Sequence, residues 1–116
     1  MVLGLQLLGC GACLDPLPAC DPLYEPTFDE VYTNTLEPSC ALGGCHDADK
    51  QAGGLDLSAP DIAFAALVDD GRALASDAEC SQVIERLVEG SMPPGAPLSD
   101  EEICAVQMWV AEGAKR

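Results

Sequence analysis

The chain has 116 residues, 20 Asp and Glu against 5 Lys and Arg, and a formal net charge of -15 at pH 7. One domain with a modest core is therefore expected, and a polyanion such as nucleic acid is excluded as a partner by repulsion. One Trp, two Tyr and two Phe leave apolar bulk short, while seven cysteines point to an oxidising, extracytoplasmic setting, periplasmic or at the cell surface. The acid excess favours basic protein partners, or serves solubility alone.

In chain order, residues 1–10, MVLGLQLLGC, are apolar but too short to span a bilayer, and read as the remnant of an export signal. Leu7 to Cys10, LLGC, resembles the lipobox of bacterial lipoproteins, which implies acylation of Cys10 and a membrane tether through it. Residues 11–26, with four prolines and two cysteines, form an irregular tether. The folded domain spans 27–116. Its first helix is predicted over 27–36, with Thr27 and Glu30 at capping-box spacing, Phe28, Val31 and Thr35 on one face, and Pro38 stopping it. A tight turn, GGLDL (53–57), precedes a second helix that starts at Ser58, Pro60 and Asp61, buries Ile62, Ala63, Ala66 and Leu67, and ends at Gly71. A third helix carries Val83, Ile84, Leu87 and Val88 and ends at Gly90. SMPPGAP (91–97) is not helical. The last helix opens with Ser99 and Glu102 as a second capping box, buries Ile103, Val106, Trp109 and Val110, and closes at Gly113. No segment alternates as a strand does, so the fold class is all-α, with about four helices.

Between the first two helices lies PSCALGGCHD, residues 38–47, with the chain's sole histidine directly after a cysteine. Two thiols followed by an adjacent imidazole match the chemistry of c-type haem attachment, in which thioethers fix the macrocycle and the histidine ligates iron. The spacing is Cys40-x4-Cys45-His46, and Gly43 and Gly44 give the longer loop its freedom. A thioether is the common second axial ligand. Met92, in the proline-rich loop, is the candidate, and Met108, inside the last helix, the competitor. A simple Cys40–Cys45 disulfide is the alternative use of the thiols. A zinc site would lack a fourth ligand, and Asp69-Asp70 and Asp100-Glu101-Glu102 read as solvated faces or helix N-termini.

The run from PSCALGGCH through KQAGGLDL to MPPGAPLSDEEICAVQMWVAEGA resembles the class I cytochrome c domains of planctomycete and myxobacterial secreted proteins, over about residues 27–114. The resemblance implies a small cytochrome c-like fold around one haem c, with Cys40 and Cys45 carrying the thioethers and His46 and Met92 on iron. The family's usual spacing between the two cysteines is x2, where this chain has x4. The implied function is single-electron transfer to redox partner proteins, basic at the contact, rather than enzymatic turnover. With haem on Cys40 and Cys45 and lipid on Cys10, four cysteines remain: Cys13, Cys20, Cys80 and Cys104. Of their three connectivities, Cys13–Cys20 with Cys80–Cys104 is favoured. Leu55, Leu57, Ile62, Val83 and Trp109 are expected to bury the haem. The alternative is a haem-free, disulfide-stapled surface lipoprotein acting as a structural or binding module.

Overall fold

A computed structural model describes residues 13–41 and 45–116. Cys10, Gly43 and Gly44 lie outside the described residues. All regular structure among the described residues is helical, with four α-helices and no strand. The first, α1 (Phe28–Val31), is capped by Thr27, whose Oγ1 accepts from Glu30 N at 3.3 Å. It does not stop before Pro38 but runs on as a wider π-helical segment, Tyr32–Cys40, in which Ala41 N donates to Leu36 O five residues back. Pro38 costs such a ladder one donor near its end without halting the turn. The helix thereby delivers Cys40 to the domain interior.

Helix α2 (Pro60–Phe64) has proline at its first position, where the missing N–H has no partner to lose, and widens likewise over Ala65–Asp69. The buried positions keep the i, i+3, i+4 spacing of one helical face, which leaves Ile62 to one side of it. Ile62, expected in the core, is 47 % exposed, and Ala63, Ala66 and Leu67 make the buried stripe. In α3 (Gln82–Val88) the inward residues are Ile84 and Leu87, while Val88, the last helical residue, faces solvent. Helix α4 (Asp100–Ala111) is capped as its spacing predicts, Ser99 Oγ accepting from Glu102 N at 3.1 Å.

The scarce aromatics are pooled. Phe64 meets the Phe28 ring edge-on at 5.2 Å between centroids, and Trp109 lies 5.3 Å from it at a tilt. Offset and edge-on contacts of this kind add to the burial of the rings themselves. Trp109, expected beside the haem, is instead fixed in this cluster, its Nε1 donating to Lys115 O at 2.8 Å.

Residues 13–26 have no regular structure, as expected of a tether, but they are bound down along the domain. Leu14 N donates to Glu79 O and Leu23 N to Glu101 O, at 2.9 and 3.0 Å, and Leu17 N to Glu79 Oε2 at 3.1 Å. Two disulfides complete the strap: Cys13–Cys80 and Cys20–Cys104. The pairing favoured from sequence, Cys13–Cys20 with Cys80–Cys104, is thus replaced by one that ties the strap to the domain at two points. Its cause is local: Leu14 docks on the residue before Cys80, and Leu23 docks on α4 one turn before Cys104.

Candidate functional site

The π segment after α1, the turn at 53–57, α3 and the 91–97 loop converge on one cavity of about 200 Å³, lined mainly by aliphatic side chains. Cys40, His46 and Met92 all reach its wall, with Leu55, Leu57 and Val83 among the apolar residues between them. None of the aromatics does. The π segment after α1 brings Cys40, the stretch before the 53–57 turn brings His46, and the loop after α3 brings Met92.

His46 is held on three sides. Its backbone N donates to Cys40 O at 3.2 Å, its carbonyl accepts from Leu57 N at 2.7 Å, and its ring Nδ1 lies 3.3 Å from Leu55 O. A carbonyl oxygen can only accept, so Nδ1 is the protonated nitrogen in this bond and Nε2 keeps the lone pair that a metal needs. The turn that supplies both leucines depends on Gly53 and Gly54, at φ of +66° and +77°, a region in which a side chain is strained. Tyr32, buried in the core, fastens the same turn by donating its hydroxyl to Leu57 O at 2.9 Å.

Met92 is pinned by its backbone, N donating to Arg86 O at 3.2 Å just past the end of α3. Met108, the competing methionine, is half-buried in α4 and does not line the cavity. Cys40 and Cys45 are both free thiols and both half-buried. Burial pushes the Cys40 thiol up to about 11, with the nearby Glu102 carboxylate and Cys45 adding to the effect. Cys45 does not reach the wall, but its carbonyl, accepting from Ala52 N at 2.8 Å, locks the loop in which it and His46 sit. Among the described residues, no three His, Cys, Asp or Glu side chains gather as a metal-binding group.

Three features of the site have no signature in the sequence. Thr35, fully buried, lines the cavity and donates to Glu102 Oε2 at 2.8 Å, while Tyr24 on the strap lies 2.6 Å from the same hydroxyl. The other two are Arg72 and Arg86, which line the cavity as well. Their only advance signal was the rarity of cations in the chain. Ile62 and Trp109, expected against the cofactor, take no part in the wall.

Residues 43–95 match a family model described as Planctomycete cytochrome C. The matched stretch takes in Cys45, His46, the GGLDL turn and Met92 and begins three residues after Cys40, so it covers a little under half of the chain. No curated protein and no solved structure matches the chain.

Proposed function

We propose that this protein is a single-electron carrier of the cytochrome c kind. It would hold one haem c through thioethers from Cys40 and Cys45, with His46 and Met92 as axial ligands. The observation that carries the reading is the convergence of the sole histidine, Met92 and Cys40 on one aliphatic cavity. The similarity of residues 43–95 to planctomycete cytochromes c supports it independently.

The residues fit the group. An imidazole with Nδ1 satisfied by a backbone carbonyl is a pre-oriented ligand, and a thioether on a proline-rich loop needs little ordering to take the opposite side. Cavities that bury whole cofactors run to about 300–1,000 Å³, and this one, at about 200 Å³, is smaller. A macrocycle held by His46 and Met92 would therefore need more room than the cavity has in this structure. Haem iron, when bound, supplies the one-electron couple. The chain supplies ligation, exclusion of water by Leu55, Leu57 and Leu87, and a thioether that raises the reduction potential. With His46 as the only histidine, no second imidazole is present to serve as a distal acid or base.

The test is the absorption spectrum of protein matured in a host that attaches haem c. Soret and α bands that survive acid-acetone extraction are expected, and a colourless protein overturns the proposal. In that holoprotein, His46→Ala removes the low-spin spectrum. Met92→Leu keeps covalent haem but loses the weak sulfur-to-iron band near ~695 nm and lowers the potential, since a sulfur ligand is lost. Loss of that band in Met108→Leu instead would transfer the ligand role to α4.

A further inference from the structure

The cavity wall has a charge pattern opposite to that of the molecule. Two of the chain's five cationic residues, Arg72 and Arg86, line it. Among the described residues none of the Asp or Glu side chains does. On a chain with 20 carboxylates, an apolar cavity with two arginines and no Asp or Glu among its lining residues suits an apolar body that carries negative charge at its edge.

The two arginines are differently prepared. Arg72 is held by backbone oxygens, Nη1 donating to Ala66 O at 3.0 Å and Nη2 to Gly53 O at 3.4 Å. Carbonyls orient a guanidinium without neutralising it. Its one ion-pair partner, Asp70, sits 3.6 Å away with its side chain 66 % exposed, where water weakens the pairing. Gly54, at φ +77°, permits the left-handed turn that brings the Gly53 carbonyl to this group. Arg86 is more exposed and shares Nη1 between Glu85 and Glu89, at 3.5 and 3.2 Å. A competing carboxylate must displace two weak partners from Arg86 and only one from Arg72.

We propose that Arg72 and Arg86 bind the two carboxylate side chains of the macrocycle, Arg72 as the principal contact. The step rests on the haem reading above. The fork of a guanidinium matches a carboxylate in two parallel hydrogen bonds, so the pair would hold and neutralise the carboxylate-bearing edge that the thioethers do not reach. Both residues are positioning residues, and neither takes part in ligating iron.

Titration of the full-length apoprotein with haem and with haem dimethyl ester, followed by absorbance, tests this. Esterification removes the charges and leaves the ring and iron intact. Native protein is expected to bind the acid about 10-fold or more tightly than the ester, the factor expected of hydrogen bonds to a charged group. Arg72→Gln should abolish most of that ratio, Arg86→Gln a smaller part, and Arg72→Lys should restore some of it. Because the readout is a ratio within each variant, partial loss of folding, which weakens both ligands alike, does not imitate it. Equal affinity for acid and ester in native protein, or a ratio unchanged in Arg72→Gln, overturns the proposal while leaving the haem reading standing. If neither porphyrin binds, both fall. Displacement of haem by palmitate at equal concentration would assign the arginines to a different amphiphilic carboxylate and likewise overturn it.

Discussion

Thr35 is where the N-terminal strap, α4 and the cavity meet. Its hydroxyl proton is given to Glu102, so it accepts from Tyr24, and the phenol is thereby locked as a donor. Burial, with the Glu102 charge reinforcing it against the lowering effect of the Thr35 bond, pushes the Tyr24 phenol up to about 12. The folded state therefore holds the phenolic proton more tightly than the unfolded chain does. The stability this gives is fully present below pH 10 and is lost as pH rises from about 10 to about 12. Discounted for the partial exposure of the ring, the loss is about 1 kcal/mol. Urea midpoints measured on protein whose Cys40 thiol has been alkylated should fall more steeply over that interval for native protein than for Tyr24→Phe. Identical slopes would remove Tyr24 from the account. None of this was legible in the sequence, where Thr35 reads as one position on an apolar face. Its partners lie 11 residues before and 67 after, and only the folded chain brings them together. His46, by contrast, was legible as a candidate because attachment chemistry is local: a thiol and an imidazole must be neighbours in the chain.

At the scale of elements, the capping boxes at Thr27 and Ser99 and the stopping glycines at 71, 90 and 113 were readable. Caps are local hydrogen-bond chemistry, and a glycine at positive φ ends a helix whatever surrounds it. The two π-helical extensions were not readable, because a wider turn is selected by what it packs against rather than by propensity. That is why Pro38 failed as a stop, whereas Ile62 lies in the regular part of α2, beside the face formed by Ala63, Ala66 and Leu67. The strap was half legible: its prolines announced irregular structure, but its course along the domain depends on Glu79 and Glu101, far along the chain. Its two bridges close spans of 67 and 84 residues. In a domain with so few large side chains, constraint of the unfolded chain is a substantial share of stability. Replacing Cys20 and Cys104 together by Ala should lower stability by about 2–5 kcal/mol and open residues 13–26 to proteolysis. An unchanged urea midpoint in that variant would show that Cys13–Cys80 and the hydrogen bonds to Glu79 and Glu101 hold the strap without the second bridge.

Over the whole molecule, the acid excess lies away from the cavity wall, so the long-range field and the local chemistry of the site are separate. Association with a basic redox partner should be steered by that field. Its rate should fall on the order of 10-fold as salt rises from low to physiological ionic strength, and rates flat in salt would leave the charge a device for solubility. The crossed disulfides bear on how such a molecule is made. Taken in chain order, the four cystine residues pair first with third and second with fourth, and the two free thiols, Cys40 and Cys45, lie between the halves of both bridges. A chain oxidised as it emerges, N-terminus first, would join Cys13 to Cys20, or either of them to Cys40, before Cys80 and Cys104 exist as partners. Under the proposed function, biogenesis makes two opposed demands on one polypeptide: Cys40 and Cys45 would have to stay reduced until the macrocycle is attached, while four others are oxidised out of order. A host that supplies oxidant but no thiol shuffling would accumulate scrambled chains. One that oxidises too early would spend an attachment thiol on a bridge.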